Sequence, residues 1–495
     1  MTIITVLYVM IGSIIGLIMG AMPGLTVTMT VVLIVSLTFG WPMQQALAFI
    51  LGAFAGGVSG GALSAITMNI PGTAAAVATI FDGYPLNKKG EAGNAIGLSL
   101  FVNVIGGMFG ILLLGVLGPV ICNFALKFGS QEYFLITIWG LSLVAVLSKG
   151  NLVKGLISGL VGLFIGMIGM DPITGKMRFT FGIDLLSGGI HYVVAMIGLF
   201  GMKEVFSLLT SKQGFAVSTQ RYKLKDLLPK FNIIKRCIKP MSWSAIIGWI
   251  IGVLPGTGGD IGALVAYGFT KQLVRKPSRP FGEGAYEGVA APETANKAAI
   301  GGAVTTLLTL GIPGDSVTAV ILGSFYLHGL IPGPNFMSQS PEYFRLIIIF
   351  LVIGMISTYV FGILGSNLML KMLRLPIWFL IPFISILCIT GSFALQNSVS
   401  DILFMIGFGV IGFIFERAGY PVSPIILAII LGPIMELNFR QALINTGSIS
   451  SLLASFILRP ISLGILIIII GSFVFQAMFL KKVAFEPEKV EPDSK

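Results

Sequence analysis

Charge is what this chain of 495 residues has least of. Only 10% of its residues are Asp, Glu, Lys or Arg, where a soluble domain carries about a quarter. That scarcity excludes a water-facing surface over most of the chain. Cysteine is nearly missing too. Cys122, Cys237 and Cys388 are scattered without metal-ligand spacing, so they read as small apolar fillers rather than a zinc site or a disulfide framework. No GxxxxGK[ST] occurs, which removes a nucleotide-binding P-loop; an ATP-driven pump would need a partner subunit. Residues 1–22 lack the basic n-region of a cleavable signal peptide, so none is expected.

What remains is apolar. Hydrophobic residues make up 55% of the sequence, the mean hydropathy is +0.96, and runs such as 346–360 and 461–480 are free of acids, Lys and most polar groups. A spanning helix needs roughly 20 apolar residues, which leaves room for about 12–15 passes. The reading is an all-α polytopic membrane protein. The net charge of +11 falls in short loops between spans, so it is no nucleic-acid footprint. Glycine is abundant, at 64 residues. The GxxxG pairs Gly16/Gly20, Gly155/Gly159, Gly162/Gly166 and Gly248/Gly252 read as close helix packing.

An internal repeat organises the chain. Residues 16–24 read GLIMGAMPG and 248–256 read GWIIGVLPG, a shared GxxxGxxPG with an offset of 232. Residues 60–72 (GGALSAITMNIPG) and 302–314 (GAVTTLLTLGIPG) then match with an offset of 242. Loop charges set the orientation of each copy. Lys271, Arg275, Lys276 and Arg279 follow the second Pro-Gly helix, while the equivalent link 41–45 is uncharged. Beyond the IPG the bias reverses: Lys88 and Lys89 follow the first copy, and 328–341 has neither Lys nor Arg. By the positive-inside rule, corresponding loops lie on opposite sides, the mark of inverted-topology repeats. The resulting trace puts the N-terminus outside and the C-terminus in the cytoplasm. Of the 31 Lys and Arg, only Lys127, Lys176, Arg178, Arg345, Arg440 and Arg459 then fall outside. Residues 1–207 form the first membrane repeat, 208–241 a basic cytoplasmic linker, 242–480 the second repeat and 481–495 a polar cytoplasmic tail. Within the second copy the broken span is placed at 298–327, behind a cytoplasmic loop 282–297 that holds Glu283, Glu287, Glu293 and Asn296 and whose apolar, small-residue C-terminal half should re-enter the protein.

The Pro-Gly breaks are the candidate site. Pro removes a backbone donor and Gly permits positive φ, and in lipid the freed groups survive only inside protein or beside a cavity. Half-helix N-termini present N–H groups to an anion, and unwound carbonyls can hold a cation. Pro23, Gly24 and Thr26 with Pro255, Gly256, Thr257 and Gly258 shape one cavity with Asn69, Pro71, Gly72 and Thr73 and with Pro313, Gly314 and Ser316. Asp315 and Asp260 stand just past breaks where the first copy has Thr73 and Thr28. Intramembrane acids are functional candidates by default. Asp315 is the first choice for a coupling ion ahead of Asp260, with helix capping as the alternative for Asp315. A rival class is an intramembrane serine protease, because Gly57-Val58-Ser59-Gly60 matches GxSG. That match is short in a glycine-rich chain, and His191 and His328 fall near span ends.

Several motifs resemble the large membrane (permease) subunit of tripartite tricarboxylate transporters. They are NIPGTAAAVATIFDGYPLNKKGEAGNAIG (69–97), LPGTGGDIGALVAY (254–267), GVAAPETANKAAIGG (288–302), LGIPGDSVTAVILG (310–323), HGLIPGP (328–334) and GYPVSPIILAIILGP (419–433). Lys297 departs from the resemblance, where Asn is more usual. The resemblance implies a non-enzymatic carrier in the bacterial inner membrane. It would import a di- or tricarboxylate such as citrate by secondary active symport, with a sodium ion or proton as coupling ion and no other cofactor. Its partners would be a periplasmic or lipid-anchored substrate-binding protein and a small membrane subunit of about four helices.

Overall fold

The computed structural model describes residues 2–22, 24–147, 152–171, 173–210, 222–373 and 377–483. The protein is helical almost throughout. In chain order the helices are α1 (Ile3–Ala21), α2 (Val27–Leu37), α3 (Met43–Met68), α4 (Ala76–Lys88), α5 (Ala92–Ala125), α6 (Ser130–Leu147), α7 (Leu152–Gly166), α8 (Tyr192–Met196), α9 (Lys203–Thr210) and α10 (Phe231–Val253). They continue as α11 (Gly258–Leu273), α12 (Tyr286–Leu310), α13 (Ser316–Leu327), α14 (Phe336–Gln339), α15 (Pro341–Met372), α16 (Ile377–Gln396), α17 (Val399–Arg417), α18 (Ser423–Thr446), α19 (Ile449–Leu458) and α20 (Pro460–Val483). A π-helical segment, Ile197–Met202, joins α8 to α9. Among the described residues eight helices are long and apolar enough to cross a membrane, or nine if the pair bent by 84° at Arg459-Pro460 is one span. Shorter apolar helices, including α2 and α13, account for the larger number of passes read from hydropathy. The protein is therefore an all-α polytopic membrane protein.

Three boundaries move. Helix α10 starts at Phe231, well before the predicted 242, so the second half of the basic linker is already helix; part of that linker, 211–221, lies outside the described residues. Residues 282–297 are not a loop up to the predicted start at 298, because α12 begins at Tyr286 and is buried from there on. Within 1–207, read above as a membrane repeat throughout, α7 ends at Gly166 and gives way to a two-stranded antiparallel hairpin, β1 (Gly169–Met170) with β2 (Met177–Arg178).

Contacts divide the chain into two compact units: residues 1–127 with 140–434, and residues 128–139 with 435–495. All four repeated Pro-Gly motifs lie within the first. There α1, α2, α3 and α4 correspond to α10, α11, α12 and α13. Helix α1 lies on α3 backbone to backbone: a Cβ on Gly16 or Gly20 would stand 2.2 Å from Ala53 O or 2.1 Å from Gly57 O. Helix α10 lies on α12 the same way, with Gly248 against Ala295 O at 2.1 Å and Gly252 against Ala299 O at 2.3 Å. Gly162 meets Ile425 O of α18 at 2.2 Å, whereas Gly159 faces open space. Small residues are thus used for close packing at three of the four GxxxG motifs.

Dissimilar loops of the two copies share one end. Glu91, after α4, bonds Arg279, before α12, at 2.6 and 3.1 Å, and Lys89 Nζ donates to Glu283 O at 2.6 Å. Asp82 near the end of α4 accepts from the amides of Gly282, Gly284 and Ala285 at 2.7–3.0 Å. The loop after the second break of one copy therefore meets the loop before the second break of the other. That is the geometry of inverted repeats. In the second unit, fully buried Glu132 accepts from Gly129 N at 2.7 Å and from the Ser462 hydroxyl, and pairs with Arg459 Nε at 3.2 Å.

Candidate functional site

The breaks of the two copies match at their turning backbone positions. Gly24 and Gly256 both take positive φ, 89° and 78°. The preceding residues, Met22 and Leu254, end their helices through equivalent bonds to Met19 O and Ile251 O. At the second break, Asn69 and Gly311 are the left-handed caps of α3 and α12, with φ of 59° and 71°. Gly72 and Gly314 are required by close approach. An added Cβ would lie 2.4 Å from Gly20 O in the first copy and 2.7 Å from Gly252 O in the second. The break is therefore wedged against the Pro-Gly helix of its own repeat, which keeps irregular backbone within protein.

The half-helices that leave these breaks converge by their N-termini. Thr28 in the first turn of α2 hydrogen-bonds Ser316 of α13 at 2.8 Å. Gly258 at the start of α11 lies against Asp315, where an added Cβ would stand 3.1 Å from Asp315 Cβ. Asp260 of α11 accepts from the amide of Ala75, which precedes α4, and interacts electrostatically with Asp315. Each N-terminus thus abuts one from the opposite copy. The four ends α2, α4, α11 and α13 carry partial positive charge, and helix N-termini are a recurrent anion site. Gly24, Thr26, Asn69, Ala74 and Asp260 are exposed here, although α3 and α12, the helices leading in, are buried.

The sequence-predicted residues divide accordingly. Thr26 is the N-cap of α2, accepting from Met29 N at 3.1 Å. The Thr257 hydroxyl donates to Ile251 O and Leu254 O. Pro255 and Pro313 are buried and Pro71 is half-buried. Thr73 is 9% exposed, and its hydroxyl has no hydrogen-bond partner. Pro23 lies outside the described residues. Asp315 does cap α13: its Oδ1 accepts from Thr318 N and Thr318 Oγ1 at 2.7 Å, and the Asp315 amide donates to Thr318 Oγ1 at 2.9 Å. Capping engages one carboxylate oxygen and still leaves Asp315 facing Asp260.

Sequence reasoning missed Glu204 and gave Asn296, Glu293 and Lys297 no partner in the protein interior. Asn296 Oδ1 lies where a Cβ on Gly259 would be, 2.2 Å away. Glu204 Oε1 approaches Gly24 and pairs with Lys203 at 3.1 Å. Glu293 and Lys297 are buried in α12, with 2% and 1% exposure. Their signal was present as charges one turn apart in an apolar stretch, and it was lost when that stretch was read as a loop.

The GxSG motif is accounted for by packing. A Cβ added to Gly60 would stand 2.4 Å from Leu17 O and one added to Gly57 would stand 2.9 Å from the Val27 side chain, and Ser59 is 2% exposed. His191 instead caps α8 through Val193 N, and His328 Nδ1 meets Ser324 O at 2.8 Å. Nothing here supports a protease.

Similarity to known proteins agrees with this architecture. One relative is an uncharacterized 52.8 kDa protein in the TAR-I ttuC' 3'region of Agrobacterium vitis. It is 35% identical over 408 residues, covering 82% of this chain and 81% of that protein. A second, an uncharacterized protein in the TAR-II ttuC' 3'region of the same organism, is 36% identical over 219 residues, covering 44% of this chain and 89% of its own length. The profile of the tripartite tricarboxylate transporter TctA family matches residues 6–427. This multi-pass membrane chain, with its two wedged and converging helix breaks, belongs to the tripartite tricarboxylate transporter TctA family.

Proposed function

We propose that the chain is the permease subunit of a tripartite carrier. It would import a di- or tricarboxylate, handed over by a periplasmic or lipid-anchored binding protein, across the bacterial inner membrane. A small membrane subunit accompanies it, and the N-terminus lies outside with the C-terminus in the cytoplasm. The observation that carries this reading is the meeting of four half-helix N-termini from opposite copies, joined by Thr28–Ser316 at 2.8 Å. Their summed dipoles favour a multiply charged anion. The Asp260 and Asp315 carboxylates in the same recess oppose that anion. A sodium ion or proton at these acids reconciles the two charges, which makes cation-coupled, secondary active symport the matching mechanism. Thr26, Asn69, Thr73, Thr257 and Ser316, with the adjoining Gly and Pro backbone, line the anion side in this reading.

The test is uptake of labelled citrate and related acids by vesicles that hold the full chain, the small subunit and the binding protein, under imposed sodium or proton gradients. Substrate-dependent uptake that needs a cation gradient supports the reading. No uptake of any di- or tricarboxylate refutes it. Asp315→Asn and Asp260→Asn should lose the cation dependence; a profile unchanged in both removes these acids from coupling.

A further inference from the structure

Away from the helix breaks, one buried pair of opposite charges is not used by the site above. Lys297 and Glu293 are one turn apart on α12. The Lys297 ammonium donates to the main-chain carbonyl of Ala55 and to Ser59 Oγ, the latter at 2.7 Å. Both acceptors belong to α3. With the repeat offset of 242, Ala55 is the counterpart of Lys297, so the contact sits near the pseudo-two-fold axis. The surrounding helices obey the same relation. Gly107 of α5 packs on Lys297 Cγ, its added Cβ standing 3.1 Å away, and Gly354 of α15 packs on Ala55 Cβ at 3.0 Å. The ammonium therefore occupies the crossing of the four long helices α3, α5, α12 and α15.

Glu293 ties in a fifth helix. It accepts from Thr79 Oγ1 of α4 and, through Oε2, from Ser99 Oγ at 3.1 Å and Asn103 Nδ2 at 2.9 Å on α5. Asn103 Oδ1 is buried without a donor. Rotating that amide would turn Oδ1 toward Glu293, where a protonated carboxyl supplies the missing O–H. A small cavity, walled mostly by apolar side chains, borders both partner hydroxyls, Ser59 and Ser99, together with Ser366. Among the described residues, the groups hydrogen-bonded to the pair from other helices are all neutral: the Ala55 carbonyl and Ser59 from α3, Thr79 from α4, and Ser99 and Asn103 from α5. Burying two opposite charges within the membrane costs several kcal/mol for each, and such groups mark proton relays in transporters.

We propose that Glu293 is a proton-binding coupling site, with Lys297 as its internal counter-charge. One proton taken up from water adds to the Glu293 carboxylate, the Asn103 amide turns to accept its O–H, and release returns the proton to water. Because Thr79 lies on α4, whose N-terminus belongs to the anion recess, the charge state of Glu293 bears directly on that half-helix. The coupling part of this inference rests on the transport reading above; the proton-binding part does not.

The experiment therefore has two arms, using the purified full chain and its Glu293→Gln and Lys297→Met variants. In the first arm, thermal unfolding is followed from pH 5 to pH 9 on the order of single-unit steps. The wild type shows a titration step that Glu293→Gln lacks and that Lys297→Met moves by about one unit or more. Identical profiles in wild type and Glu293→Gln overturn the proposal, whatever transport does. The second arm uses vesicles with the small subunit and the binding protein. A gradient of about one pH unit supports up to about tenfold accumulation per coupled proton. Glu293→Gln retains counterflow exchange of labelled carboxylate but accumulates none under the gradient. Equal loss of counterflow and accumulation, or retention of both, assigns Glu293 a purely structural role and overturns coupling. If the wild type shows no counterflow, the transport reading falls, and the titration still decides the proton site.

Discussion

Replacing Asp82 tests whether the end of α4 is held by one carboxylate. Asp82 is fully buried, and its Oδ1 accepts from Gly282 N at 2.9 Å, Gly284 N at 3.0 Å and Ala285 N at 2.7 Å. Its Oδ2 accepts from Tyr267 Oη at 3.0 Å. Asp82→Ala strands these donors. Gly282 is exposed and can turn to water, but Gly284 and Ala285 are buried. Two orphaned amides at about 1–3 kcal/mol each, with loop relaxation recovering part, give a loss of about 3–5 kcal/mol. Asp82→Asn keeps an acceptor oxygen for the amides and places its NH2 toward the Tyr267 hydroxyl, which can accept, so the loss is about 1–2 kcal/mol. Thermal unfolding of the detergent-solubilised chain measures the difference, and amide exchange at 282–285 localises it. Gly288→Ala should reproduce the larger effect from the other side, because its Cβ would stand 2.0 Å from Asp82 Oδ2. Equal and small effects of Ala and Asn at position 82 would refute the reasoning.

Other expected outcomes concern packing, the repeat contact and acid stability. Gly20→Ala should reduce folded yield sharply, since its Cβ meets Gly57 O at 2.1 Å, while Gly159→Ala, facing open space, should be neutral or stabilising by up to about 1 kcal/mol in a melting assay. Thr28→Val with Ser316→Ala removes the 2.8 Å cross-repeat bond; a double-mutant cycle in unfolding should show a coupling of about 1 kcal/mol, and additivity would contradict the contact. Arg279 beside Glu91 holds that carboxyl below the ordinary Glu range. The bridge therefore stabilises above the unfolded Glu value, near ~4.3, and its contribution disappears as pH falls through the lower folded value. The pair is part-exposed, so the advantage over Glu91→Gln is at most about 1 kcal/mol at neutral pH. It should vanish in acid melts; a constant difference would contradict the assignment.

The repeats were legible because they are written in residues with special backbone demands. Gly24/Gly256, Asn69/Gly311 and Gly72/Gly314 occupy matching left-handed or sterically closed positions, and few other residues fit them. Positive charge likewise revealed that the copies face opposite ways, since Lys and Arg are costly to move across lipid. Asp315 shows the limit of such reading: its position past a break was clear, and its capping bond to Thr318 became visible only from side-chain geometry.

By itself, then, the sequence determined an all-α membrane chain, its duplicated breaks and their opposed orientation, because composition, periodicity and loop charge are local properties. Only the tertiary structure decided what meets what. It joined Thr28 to Ser316 across 288 residues and Lys297 to Ser59 across 238. It also turned a presumed loop at 286–297 into buried helix. Those pairings depend on how two inverted copies interlock about their axis, and the charges of α12 are tolerated only because distant hydroxyls and amides receive them. No local pattern encodes that.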